Sequence, residues 1–135
     1  MVYWINHSVT VHFITNRNSI HTSTDKLISK MSNHIVIYIT TGSISEAKKI
    51  GRTLVEEKLV ACSNIISPIH SIYSWQGKIC NDKEAMMVLK TKKKLFKQIV
   101  NRVEELHSYD VPEIIAMPII EGSSKYLSWI NEVTK

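Results

Sequence analysis

The chain has 135 residues, 44% apolar and 21% charged, with 17 Lys and Arg against 12 Asp and Glu for a formal net charge of +5. That length suits one domain of the usual roughly 100–150 residues, and the composition excludes collagen-like, coiled-coil and wholly disordered chains. Two cysteines, Cys62 and Cys80, are too few for a disulfide scaffold or a four-thiolate zinc site, which points to a reducing, cytoplasmic-type compartment.

Residues 1–33 carry only Arg17, Asp25, Lys26 and Lys30 as charges and are dense in Ser, Thr, Asn and His. Their apolar stretch Val9 to Ile14 is interrupted by His12 and is too short for a secretory signal. No segment of the chain reaches the ~18 apolar residues of a membrane span, so no membrane partner is expected. The composition predicts an N-terminal extension outside the fold, disordered or artefactual, with Met31 as the alternative start and a transit peptide as the competing reading. Without the first 30 residues, 14 basic residues face 11 acidic ones, so basicity carries little information about partners.

From residue 34 the pattern becomes regular. Ile35 to Thr41 is a continuous β-branched and aromatic run, expected to be a strand buried on both faces. Ser43-Ile44-Ser45-Glu46 has the form of a capping box, and Ala47, Ile50 and Leu54, with Val55 beside them, recur at helical spacing as far as Lys58. Leu59 to Trp75 and Lys78 to Thr91 read as two extended arms joined at Gln76-Gly77, a β-hairpin that puts Trp75 opposite Lys78 and Tyr73 opposite Cys80. Pro68 removes a ladder donor and predicts a bulge in the first arm. A helix follows over Lys94 to His107, with Phe96, Ile99, Val103 and Leu106 on one face, and Pro112 lies just beyond it. Glu113 to Ile120 reads as the last strand. Gly122-Ser123 opens a terminal helix whose apolar side is Tyr126, Leu127, Ile130 and Val133.

The order strand, helix, strand, strand, helix, strand, helix predicts an α+β fold of the ferredoxin-like βαββαβ type, with an extended hairpin and a C-terminal helix. Arms of 14 to 17 residues span on the order of 50 Å at about 3.3 Å per residue, whereas a 100-residue domain has a radius of gyration of about 13 Å. The hairpin must overhang its own core. An overhang rich in Ile, Tyr and Trp predicts a homo-oligomer that covers it. In this register Cys62 and Cys80 lie too far apart to bridge within one subunit.

No Gly-rich phosphate loop, nucleophile elbow or His-x-x-x-His is present, and the adjacent pairs Glu56-Glu57 and Glu104-Glu105 diverge by about 100° on their helices. An enzyme is not expected. The densest group of capable side chains is His107-Ser108-Tyr109-Asp110-Val111-Pro112-Glu113, where a helix end meets a strand edge. A structural role for His107, facing free carbonyls at the helix end, competes with a ligand role. Cys62 sits in an apolar run and reads first as a small buried hydrophobe, although a thiolate and an imidazole together would suit copper or zinc. The lysine run Lys90, Lys92, Lys93, Lys94 and Lys97 lacks the interleaved aromatics of a nucleic-acid module, so nucleic acid ranks last among partners.

Five segments, in order, carry a more specific signal. They are Leu54-Val55-Glu56-Glu57-Lys58-Leu59-Val60-Ala61-Cys62-Ser63-Asn64-Ile65-Ile66, Ile72-Tyr73-Ser74-Trp75-Gln76-Gly77-Lys78-Ile79, Leu89-Lys90-Thr91, Leu106-His107-Ser108-Tyr109-Asp110-Val111-Pro112-Glu113-Ile114 and Tyr126-Leu127-Ser128-Trp129-Ile130. Together they resemble the CutA divalent-cation tolerance proteins over about His34 to Val133. The resemblance implies a cytoplasmic-type homotrimer of ferredoxin-like subunits, akin to PII signalling proteins, with hairpins paired between subunits. It implies a role in tolerance of divalent metal ions, copper above all, with copper or another divalent cation as the bound species and no organic cofactor or catalysis. Cys62 and His107 fall on family positions as metal-ligand candidates. Trp75, Lys90, Tyr109, Pro112, Glu113, Tyr126 and Trp129 fall on positions that line an intersubunit cavity. Some members carry a further cysteine and a second histidine as copper ligands; Ile39 and Leu106 stand there, which implies a weaker or different metal site. The alternative is a PII-like signalling or scaffold trimer whose cavity takes a small anionic metabolite near Lys90 and Tyr109.

Overall fold

The structure, a computed structural model, describes residues 32–135. The expected extension over 1–33 therefore lies outside the described residues except for its last two. One of these, Ser32, is buried beside β1, with its hydroxyl 2.6 Å from the Ile119 carbonyl oxygen.

β1 (His34–Thr41) sends Ile35, Ile37 and Ile39 to one face, where all three are buried. Val36 and Tyr38 on the other face are only half-buried, so the strand is sealed on one side rather than two. α1 (Ile44–Glu56) packs Ala47, Ile50, Gly51 and Leu54 onto the sealed face, the three-to-four spacing that places them on one side of a helix. Ser43 caps it, accepting from the Glu46 N–H at 3.2 Å. The reciprocal half of the capping box is not made. Glu46 instead accepts from the Ser108 N–H at 2.6 Å, so its carboxylate ties α1 to a loop 62 residues away. α1 ends through Lys58, which sits in the left-handed region at φ 57, a position where glycine is usual.

β2 (Cys62–Trp75) starts three residues later than expected, because Leu59, Val60 and Ala61 bury their side chains ahead of the ladder, with only Ala61 N–H donating to the Lys90 carbonyl at 2.8 Å. β3 (Lys78–Lys92) returns antiparallel, with Trp75 opposite Lys78 and Tyr73 opposite Cys80. Gln76 at φ 48 and Gly77 at φ 76 make the two-residue turn that fits strand twist. The ladder slips between Ile66 and Ile69, at Pro68, as a missing N–H requires.

α2 (Phe96–Leu106) follows a single 3-10 turn at Lys93–Leu95, with Ile99 and Val103 buried and Phe96 and Leu106 partly so. β4 (Ile114–Pro118) pairs antiparallel with β1. The result is a four-stranded sheet in the order β2-β3-β1-β4. α1 and α2 cover one face, where their buried residues join Ile35, Ile37, Ile39, Met87 and Leu89 in one core. α3 (Ser124–Val133) lies across one end of the opposite face, fixed by His34 Nε2 to Asn131 Oδ1 at 2.9 Å and by Lys92 Nζ to the Thr134 carbonyl at 3.1 Å. Desolvation in that position pulls the Lys92 ammonium below its ordinary value, with a smaller push from Lys94. Ile130 is the α3 residue fully buried there.

β1 pairs with β3 only over residues 85–92, so residues 69–75 of β2 and 78–84 of β3 continue as a two-stranded ribbon beyond the sheet. Seven residues carry that ribbon about 23 Å outward. Ile72 and Ile79 on it are 73% and 77% exposed, whereas an isolated two-stranded ribbon is at best marginally stable in water.

Candidate functional site

The ribbon and the loop between α2 and β4 border an open cavity of about 770 Å³. Tyr109 spans its base. Its hydroxyl donates to Glu84 Oε1 at 3.0 Å, joining the loop to the root of the ribbon. Gly42 makes room for this: a Cβ there would lie 3.1 Å from the Tyr109 hydroxyl oxygen. Partial burial, and then the Glu84 hydrogen bond and charge, push the Tyr109 phenol up to about 12. Glu84 itself is only 7% exposed. Further out on the ribbon the Tyr73 hydroxyl donates to Asp82 Oδ2 at 2.7 Å, and that bond raises its phenol well above the ordinary value.

His107 closes α2 beneath this cavity, its side chain fully buried. Its Nδ1 accepts from the Tyr109 N–H at 3.0 Å, which leaves the proton on Nε2 to be donated to the Thr40 carbonyl at 2.7 Å. Both ring nitrogens are thus used in holding the α2–β4 loop against the end of β1. The Glu46 carboxylate stands 3.9 Å from Nδ1, and its short bond is the one from the Ser108 N–H. Metal ligation by His107 would require giving up one of these bonds.

The expected site residues divide between two places. Trp75, Tyr109 and Glu113 line the cavity, with His107 below them. Cys62, Lys90, Tyr126 and Trp129 gather at the other end of the sheet, under α3. There the Cys62 Sγ lies 3.5 Å from the Tyr126 hydroxyl, and the Tyr126 and Trp129 rings are 5.3 Å apart. The bond to Cys62, followed by burial, pushes the Tyr126 phenol up to about 12. Lys90 faces Cys62 across the ladder and gives its ammonium to Asn64 Oδ1 and the Val88 carbonyl. Cys62 is level with Val36 through Lys90, while His107 is bonded at Thr40, four residues along β1 or about 13 Å. One subunit does not bring the thiol and the imidazole together. Among the described residues no group of three or more His, Cys, Asp or Glu side chains stands close enough to hold a metal ion.

Lys90 and Tyr109 are likewise apart, and the formally charged side chains that line the cavity are Glu84, Asp110 and Glu113. Glu84, Thr40 and Glu46 belong to the site and were not expected from the sequence. Asp82 and Glu84, two apart on one arm and so on one face of it, were the available signal.

Fold and site together define a small α+β protein with an overlong hairpin and an acidic, aromatic-lined cavity alongside it. The CutA1 divalent ion tolerance protein family model matches residues 35–133, and the chain belongs to that family. A divalent-cation tolerance protein CutA from Thermus thermophilus is 46% identical over 99 residues, 73% of this chain and 96% of that protein. The chloroplastic CutA of Arabidopsis thaliana is 42% identical over 107 residues, which cover 79% of this chain but 59% of that longer protein. Human CutA is 41% identical over 98 residues, again only 55% of its length. Among solved structures, the Thermus thermophilus protein superposes with a TM-score of 0.74 at 44% identity, over 76% of this chain and 99% of that one. CutA1 from Oryza sativa gives 0.75 at 38% identity, over 78% and 96%.

Proposed function

We propose that this chain acts as a homotrimer of ferredoxin-like subunits in the tolerance of divalent cations, copper included, and that it binds copper weakly. The observation that carries this reading is the exposed ribbon. Ile72, Tyr73, Trp75 and Ile79 sit on a two-stranded extension that the described residues of its own subunit do not cover, and a neighbouring copy with the same extension would cover them. The family membership supplies the connection to divalent cations.

Weak binding follows from the donors. Cys62 is half-buried and, among the described residues, its thiol is held by one polar contact, with Tyr126, so it is the readier ligand. His107 must surrender a buried hydrogen bond, a cost of about 1–3 kcal/mol. A copper ion using both would have to take them from different subunits, because within one they lie too far apart. Titration of Cu(II), and of Cu(I) under anaerobic conditions, into the assembled protein tests this. Cys62→Ser is expected to weaken binding about tenfold and His107→Ala by less. Unchanged affinity in both variants would remove the assignment.

A further inference from the structure

The open cavity alongside the ribbon is the flank that a neighbouring copy covers in the proposed trimer, and its charges constrain what that copy brings. Glu84, Asp110 and Glu113 lie on it, three carboxylates with no lysine or arginine among the lining residues. Glu84 is only 7% exposed even in one subunit, where its hydrogen bond among the described residues comes from the neutral Tyr109 hydroxyl. None of the three carboxylates makes an ion pair among the described residues. The lysines of the same ribbon do not supply one. Lys78 lies six residues along β3 from Glu84, about 20 Å, and Lys83, next to Glu84 in the chain, projects to the other face of the strand. Lys78 and Lys83 are themselves exposed and without an ion pair among the described residues. A neighbour that covered this flank with apolar side chains alone would take three carboxylates from water unpaired, the arrangement that interfaces avoid by bringing opposite charges together.

We propose that the acidic flank of each subunit is completed by the ribbon lysines, Lys78 and Lys83, of the next copy of this chain. The contact joins two different patches, carboxylates on one copy and lysines on the other. Such a head-to-tail contact closes into a ring when the rotation between copies allows it, and its charges fix which patch meets which. The other carboxylate of the ribbon, Asp82, already accepts from Tyr73 of its own subunit. This inference rests on the trimer reading and adds the charge pairing that sets its register. It uses none of Cys62, His107 or Lys90, so it is separate from the copper reading.

Carbodiimide cross-linking, which joins a lysine directly to a carboxylate it touches, tests the contact in the full chain assembled from isotope-labelled and unlabelled copies. Mixed-isotope peptides that link Lys78 or Lys83 to Glu84, Asp110 or Glu113 are expected. Charge reversal gives a second reading. Asp110 and Glu113 are exposed in the subunit, as are both lysines, so the fold by circular dichroism should survive their replacement. Asp110→Lys with Glu113→Lys, and separately Lys78→Glu with Lys83→Glu, are each expected to weaken assembly about tenfold by sedimentation. The quadruple variant, with both patches reversed, is expected to recover most of that loss. A trimer that yields no such mixed-isotope link, or a quadruple variant that merely adds the two losses, would overturn the contact and leave the trimer standing. A monomeric parent protein would remove the trimer reading and this contact with it.

Discussion

Replacing Tyr109 by Phe removes one oxygen and, with it, the bond that ties the α2–β4 loop to the ribbon root. The loss is felt mainly by Glu84, which is 7% exposed and takes its hydrogen bond from that hydroxyl at 3.0 Å. Hydrogen bonds to charged groups contribute about 1.5–3 kcal/mol, and since the Tyr109 side is itself partly open to water the lower end applies, about 1.5–2 kcal/mol. The effect has a pH signature. The phenol is held up to about 12 in the folded protein against an ordinary 10, so the folded state favours its neutral form. That contribution is complete below about pH 10 and is lost as pH rises towards 12, because above 10 the unfolded chain gains by ionising and the folded one does not. Urea unfolding of the parent and Tyr109→Phe at equal protomer concentration should therefore show the full difference at pH 7 and 9 and a smaller one at pH 11. Other tyrosines titrate in both proteins and largely cancel. A difference below about 0.3 kcal/mol at pH 7, or one that does not narrow at pH 11, would refute the role given to the Tyr109–Glu84 bond.

Gly51 lies against β2 so closely that a Cβ would stand 2.8 Å from Ser63 Oγ, and that hydroxyl is buried without a hydrogen-bond partner among the described residues. Gly51→Ala should destabilise by about 1–3 kcal/mol, Ser63→Ala should stabilise by up to about 1 kcal/mol, and the double variant should recover part of the first loss; additive effects in denaturation would contradict this coupling. Lys58→Gly, at φ 57, should raise stability by up to about 1 kcal/mol in the same assay, and a loss would mean that its side chain, not its backbone, matters there. Replacing Ile72 and Ile79 by Ser should leave the subunit fold intact by circular dichroism while shifting the protein towards monomer in size-exclusion chromatography, because both side chains are more than 70% exposed in a single subunit.

Local chemistry was legible in the sequence wherever it is also local in space. The Gln76-Gly77 turn sets the hairpin register, so Trp75 opposite Lys78 is legible in the sequence, and the missing N–H of Pro68 marks the slip in the ladder. The cores of α1 and α2 followed from spacing alone. The capping box was half right, because Glu46 found a better acceptor role at the Ser108 N–H, 62 residues away, than at its own helix start. The site was less legible for the same reason. Cys62 and His107 look like partners by chemical type, yet the sheet sets them at different ends, and Glu84 gains its importance only when Tyr109 arrives from 25 residues further on. The half-covered face of β1 could not be foreseen either, since α3 reaches only its His34 end.

The ribbon extending beyond the four-stranded sheet is the structural reason for the proposed trimer, and sedimentation equilibrium of the purified chain measures that assembly directly. One species of three times the 15.5 kDa subunit mass is expected at micromolar concentration, with or without added copper. A monomer at tens of micromolar with an intact ribbon would contradict it.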